Sequence, residues 1–500
     1  MNEREASPST AEVVNRPAVQ GGADAPVAQR DVEKAASAAS TKTEVLVDGE
    51  LSAWPHYPAA VRGGGFVFVS GVRGGRPGFA PASYAELPEA LADWAQGYTI
   101  VDALEGIVAA DSWAAHDNME RILDAAQTSS TQVLRQRMWQ RDKRYFPIYE
   151  RVRKHWQPEA APSSGLGVRS VGGRFGRWIG IESIAVDAAD PHRLGDRITV
   201  SPPDDKRHPS ASIYSQAVAS GPLVFMAGHI PIRTAEPGNP LVASFDDVPP
   251  DGRFLAIGRS HPDSRDGPIA AQTWYVYNEI SRTLDAHGMT IADIVHVRVY
   301  LSDLRDLATF HRVHEHIFGD DAPALCVVGF DEVGHKGCRI EIEPTVLRPG
   351  RAVRAATDWT CPAPTAGPAA MRAGPLVFIA GMCGLGPDGH PARDSGSVDR
   401  EARDLVRSLE ASASVPWVPA QVWWAWRRLA ETCDAAGTSL DSLTKTVVYL
   451  RDESDLPVYE AVRSMFVETR LPAFDCVIVD GPGPSTEIAV QIDAVALAAP

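Results

Sequence analysis

Three stretches of the chain repeat one ordered set of elements, and a repeat of this length restricts the fold more than any single motif. Each copy opens with an apolar strand ending in a small residue and Gly: Phe66-Val67-Phe68-Val69-Ser70-Gly71, Leu223-Val224-Phe225-Met226-Ala227-Gly228 and Leu376-Val377-Phe378-Ile379-Ala380-Gly381. The anchors lie about 155 residues apart, too far for a solenoid repeat and suited to a small domain. In the middle copy the pattern predicts an amphipathic helix from Ala271 to His287 and an apolar strand from Ile294 to Leu301. An Asp-x-x-Asp-Leu turn then leads into a second helix from Leu307 to Phe318, a strand from Pro323 to Phe330 and an alternating strand from Cys338 to Leu347. The third copy repeats this with Leu443 to Leu450, Tyr459 to Phe466, Pro472-Ala473 and Ile488 to Leu497. The first is more worn, with Met119 to Ala126, Val133 to Gln140, Phe146 to Trp156, Pro162 and Ile179 to Val186. Strands and helices in this order predict an α+β unit with helices on one sheet face.

Five hundred residues exceed what one core usually supports, so the division expected is a leader over 1–43 and domains over 44–190, 191–350 and 351–500. The leader is rich in Ala, Ser, Glu and Pro with almost no aromatic residues, which predicts disorder. It has no apolar signal segment, and no run of eighteen apolar residues occurs to span a membrane; a soluble, cytoplasmic chain is expected. Six Cys fall in the last two copies without CxxC pairing, which argues against a zinc ribbon or a disulfide framework. The formal charge of −16 is thinly spread, and no Lys/Arg run is long enough to track a phosphate backbone, so nucleic acid is not an expected partner. No Gly-rich phosphate loop, zincin motif or GxSxG elbow occurs, and neither a cofactor nor a metal is expected.

The segment Ile213-Tyr214-Ser215-Gln216 through Gly228-His229-Ile230-Pro231, with Val297-Arg298-Val299-Tyr300-Leu301-Ser302-Asp303-Leu304, Pro323-Ala324 and Ile340-Glu341-Ile342-Glu343, resembles the Rid (YjgF) family of enamine/imine deaminases. The resemblance covers most of residues 45 to 500 as three copies. It implies a chorismate-mutase-like fold and, because members form homotrimers with ligand clefts between subunits, a single-chain pseudo-trimer. It further implies a pocket with an Arg after the Pro-Ala step to grip a carboxylate, a Tyr from the opening segment and a last-strand Glu that positions water. At the Arg position stand Ser164, Leu325 and Phe474, none of which replaces a planar guanidinium fork. A neutral or aromatic small molecule is therefore the expected substrate. The Tyr is kept as Tyr57 and Tyr214, with Gly367 or a neighbour in the third copy; the acid is kept as Glu182, Glu343 and Asp493. An acid facing an apolar cleft acquires a raised pKa suited to proton transfer, which makes Glu343 and Glu182 the expected catalytic pair. Plain packing for the Tyr residues and a solvated strand face for the acids are the structural alternatives.

Three other patterns have a structural and a functional reading. His311-x-x-His314-x-His316 resembles a metal-ligand run, but Phe310, Val313, Ile317 and Phe318 mark the buried stripe, which turns His311 and His314 toward water. Trp423 and Trp426 share a helix face and are expected to cover the sheet. Arg169, Arg174, Arg177, Lys336 and Arg339 lie around strand turns and offer a relocated anion grip, while the Pro231 to Gly267 segment is long enough for a lid. The leading expectation is a cofactor-free enzyme acting on an imine, enamine or enol-type intermediate. A chorismatase-like enzyme, suggested by Ser163-Ser164-Gly165-Leu166-Gly167-Val168, and a non-catalytic ligand-binding scaffold are the alternatives.

Overall fold

A computed structural model describes residues 42–47, 51–95, 104–159, 161–174, 176–200, 215–350, 354–356 and 367–499. The leader therefore lies outside the described residues up to 41, and Tyr214 lies outside them as well.

The first copy comprises β1 (Thr43–Val45), β2 (Ala60–Gly63), β3 (Phe66–Val69), β4 (Val72–Arg73), helices α1 (Glu89–Ala95) and α2 (Glu105–Ala125), β5 (Val133–Gln140), α3 (Phe146–Trp156), β6 (Ser163–Gly167) and β7 (Ile179–Val186). The second comprises β8 (Arg197–Val200), β9 (Ala217–Ser220), β10 (Leu223–Met226), α4 (Ser260–Asp285), β11 (Ile294–Leu301), α5 (Leu307–Phe318), β12 (Ala324–Gly329) and β13 (Ile340–Leu347). The third comprises β14 (Arg354–Ala356), β15 (Ala370–Ala373), β16 (Leu376–Cys383), α6 (Arg403–Leu409), α7 (Val418–Ala435), β17 (Leu443–Leu450), α8 (Leu456–Arg463), β18 (Ala473–Ile478) and β19 (Val490–Leu497).

Each copy builds its own sheet: β1-β2-β3-β7-β5-β6 with β4 on β7, then β12-β11-β13-β10-β9-β8, then β14-β15-β16-β19-β17-β18. In each, the strand before the last helix pairs in parallel with the strand after it, because a helix crossover returns the chain in the same direction. The same register irregularity recurs in all three sheets, at Val133/Arg135, Ile294/His296 and Leu443/Lys445. Three tandem α+β units of one design result.

Strand alternation decides which side chains meet the helices. In β11, Val297, Val299 and Leu301 join Ile280 and Phe310 under the helices. Tyr300 points the other way, into a cluster with Trp139 and Leu166 of the first copy and Tyr449 and Val477 of the third. The three sheets thus turn their second faces inward onto one another, and the helices lie outside. The strand ends close the ring by backbone bonds: Gly167 N donates to Glu332 O at 2.8 Å, Arg169 N to Ile478 O at 3.0 Å and Gly329 N to Gly481 O at 2.8 Å.

The element boundaries differ from expectation in two places. Helix α4 begins at Ser260, ahead of the expected Ala271, and runs through Pro268. The segment before it is packed down, with Val242, Phe245 and Val248 buried against Ala270, Ala271 and Val313, and so lies on its own copy's helices. His314, expected toward water, is buried and bonded to the Tyr277 hydroxyl at 2.8 Å. Trp423 and Trp426 are buried as expected. Among the described residues no helix is long and apolar enough to cross a membrane, and no group of three or more His, Cys, Asp or Glu is placed to hold a metal ion.

Candidate active site

The register defines the equivalent positions. Glu182, Glu343 and Asp493 lie opposite Arg137, Arg298 and Val447, so the three acids share one place in the fold. That place is the ion-paired centre of the molecule. Arg137 Nη2 of the first copy meets Glu343 Oε1 of the second at 2.6 Å; Arg298 Nη2 of the second meets Asp493 Oδ1 of the third at 3.1 Å; Lys445 Nζ of the third meets Glu182 Oε2 of the first at 2.5 Å. Head-to-tail pairs therefore link every copy to the next. Burial alone would raise the Glu343 carboxyl, but Arg135 and Arg137 hold it well below the usual carboxylate range. Burial is likewise outweighed at Glu182, by Lys445 and Arg137. The raised pKa expected for these two acids is thus reversed, because a neighbouring copy brings cations beside them, Arg135 and Arg137 at Glu343 and Lys445 at Glu182.

Two residues nearer the strand start, opposite Trp139, Tyr300 and Tyr449, stand Gly180, Glu341 and Gln491. These positions look into the seams between copies, each facing an edge-strand residue of the preceding copy and the anchor glycine of its own. Between the third and first copies, Arg73 takes the room above Gly180, where an added Cβ would lie 2.7 Å from the guanidinium, and pairs with the buried Asp475 at 2.7 Å. Between the second and third, Gln491 Nε2 donates to Val327 O at 3.0 Å beside the Cys326 thiol. Between the first and second, Glu341 meets Ser164. Of these three equivalent positions, only the one in this seam carries a carboxylate.

Glu341 is 3% exposed, and burial pushes its carboxyl up to about 7, against the opposing charge of Lys143. Its Oε1 lies 1.9 Å from where a Cβ on Gly228 would stand, and Ser164 Oγ lies 2.7 Å from the same point. Gly228 is required there by close approach. The same holds at Gly71, where an added Cβ would lie 2.0 Å from Asp475 Oδ1, and this explains the glycine ending each anchor strand. Ser164 Oγ also donates to Glu343 at 2.6 Å, which ties the seam to the central ion pairs. Lys143, on the turn between β5 and α3, is half-buried; its backbone N–H donates to Glu332 at 2.9 Å and its Nζ to Gly165 O at 2.5 Å. Burial lowers its ammonium pKa, opposed by Glu341. The corresponding turns begin with Leu304 and Glu453. His229, next to Gly228, is buried with Nδ1 2.8 Å from Ala227 O, and burial lowers its pKa to about 4, so it is neutral at physiological pH.

Residues 257–347 match the family described as Endoribonuclease L-PSP. A RutC family protein from Pyrococcus horikoshii is 32% identical over 130 residues, which is 26% of this chain and 82% of the relative. The chain belongs to the Rid/YjgF (L-PSP) family. A 2-iminobutanoate/2-iminopropanoate deaminase from Dermatophagoides farinae is 25% identical over 134 residues, covering 27% of this chain and 84% of its own. Among solved structures, a Mycobacterium tuberculosis member of the YjgF/YER057c/UK114 family is 28% identical, with a TM-score of 0.22, over 30% of this chain and 99% of its own.

Within this Rid/YjgF chain the remaining expected site residues are scattered. Tyr57 stacks on Phe474 of the third copy at 4.0 Å and donates to Glu460 at 2.7 Å, so these two meet and fill the third-to-first seam. Leu325 lies in the second copy's helix-facing core. Asp493 is held by Arg298. Leu325 and Phe474 pair with Val297 and Thr446, whereas Ser164 pairs with Arg137, one position further along. The residue matching Leu325 and Phe474 is therefore Ser163, and Ser164 matches Cys326 and Asp475. Of the turn cations, Arg169 pairs with Asp480, Arg177 donates to Pro81 O and Arg339 binds Asp306 at 2.5 Å. Gly367 is exposed. Sequence reasoning named Glu343 and passed over Glu341 and Lys143. The signal was the Ile-Glu-Ile-Glu alternation, which places both acids on one face.

Proposed function

We propose that this chain is a hydrolytic enzyme acting on an imine, enamine or enol-type intermediate in the seam between its first and second copies, with Glu341 as the proton-transfer group. The observation that carries the reading is the buried carboxyl, titrating near 7, at a position that the other copies fill with Gly180 and Gln491. A group with that ionisation serves as base and acid within one turnover. As the carboxylate it takes a proton from water attacking the C=N carbon, giving a tetrahedral aminoalcohol. As the acid it returns the proton to nitrogen, the C–N bond breaks, and ammonia and the carbonyl compound leave. Ser164 orients the carboxyl, and half-exposed Phe146 beside Lys143 offers a face to a flat unsaturated substrate. Family membership supports the reaction class; the absence of an Arg at Ser163 and Ser164 supports a substrate outside the amino-acid-derived enamines, as a specialised biosynthetic route would supply.

The test is ammonia release from a panel of imines and enamines generated in situ, with the full chain and Glu341→Gln. The substitution should lower turnover roughly 10²–10⁴-fold. Equal turnover in the two proteins, or no acceleration of any panel member by the wild type, would overturn the reading.

A further inference from the structure

We infer that Lys143 is a covalent catalyst in this seam: its amine exchanges with the substrate imine and carries the carbon skeleton as a lysyl imine until water releases it. The inference rests on the imine-hydrolysis reading above and names the group that holds the substrate.

Placement is the first support. Lys143 starts the turn between β5 and α3 at the seam that carries Glu341, while the equivalent turns begin with Leu304 and Glu453, which cannot form an imine. A nucleophile and a proton-transfer group thus occur together in one seam of three. The second support is the partner of Nζ. It donates to a main-chain carbonyl, Gly165 O, a contact that a neutral amine keeps, and Gly165 follows Ser164, whose hydroxyl lies against Glu341. The third is environment: Nζ lies over the Phe146 ring, 5.5 Å from its centre, and burial lowers the ammonium pKa, which raises the share of nucleophilic free base.

The step balances without an oxidant or reductant. Lys143 Nζ adds to the imine carbon, a proton shifts from Nζ to the substrate nitrogen through Glu341, and the C–N bond breaks to release ammonia. Water then adds to the lysyl imine, Glu341 takes its proton and returns it to Nζ, and the carbonyl product leaves with the amine regenerated. The reverse of the last stage makes the lysyl imine directly from a carbonyl compound, which gives a test independent of turnover.

The full chain is incubated at pH 8 with pyruvate or, separately, cyclohexanone, reduced with borohydride and mapped by mass spectrometry; the sequence has seven lysines, so assignment is direct. One adduct per chain at Lys143 is expected, absent in Lys143→Arg, together with a fall in turnover of at least the ~10²-fold typical of a positioned catalytic group. No adduct at Lys143 with either probe, or wild-type turnover in Lys143→Arg, overturns the covalent role. If Glu341→Gln still abolishes turnover in that case, the hydrolysis reading stands without it.

Discussion

Protonation of one carboxyl should govern both rate and stability. Glu341 is raised from 4.5 to about 7 on folding, so the active carboxylate forms as pH rises, and kcat/KM should climb through about 7. Stability runs the opposite way. A raised folded-state pKa stabilises most below the unfolded value and is lost as pH rises through the folded value, so Glu341→Gln should melt higher than wild type at pH 8 and no higher at pH 4. Loss of activity with a gain in Tm at pH 8 would separate this site from a packing role; a lower Tm at pH 8 would contradict it. Gly228→Ala should cut turnover as severely as Glu341→Gln, because its methyl carbon would stand 1.9 Å from Oε1 and drive the carboxyl out of place. Assay and melting curves on the same variant check this. The two acids of Ile340-Glu341-Ile342-Glu343 look alike in sequence. What distinguishes them is Arg137, whose charge arrives from a strand 206 residues away, and no local pattern shows which acid it reaches.

Strands were the most legible elements. Ile294–Leu301 and Leu443–Leu450 fall where apolar runs predict them, because a strand flanked by helices on one side and other sheets on the other is buried on both faces and so mostly apolar. Helix ends were less legible: α4 starts well before Ala271 because Pro268 is tolerated inside it. Register was hidden as well, since counting from Pro162 places Ser164 with Leu325, while the ladder pairs it with Arg137. The inward charges of β5, β11 and β17 are the riskiest part of these elements. Arg298→Met would leave Asp493 and Glu343 short of a buried partner and should cost about 3–5 kcal/mol. Urea denaturation measures it, and a cost below 1 kcal/mol would show that the remaining cations compensate.

At the scale of the molecule, the ring closes where Arg169, Asp331 and Asp480 of the three copies meet. Burial and the neighbouring Asp480 raise Asp331 to about 7; Arg169 pulls it down and Glu332 pushes it up. Protonated Asp331 bonds Asp480 when the ring is closed, so closure is favoured below about 4 and weakens as pH rises through 7. Asp331→Asn should therefore flatten the fall in Tm between pH 5 and 8, and an unchanged slope would count against this latch. The head-to-tail ion pairs carry a consequence for anyone cutting the gene. Each seam is half one copy and half the next, so no excised copy contains a complete seam, and a fragment of the first two copies would keep Glu341, Ser164 and Lys143 yet expose the halves of both other seams. Only the whole circle keeps every seam covered, and under the proposed reaction a titration should count one ligand-binding event per chain.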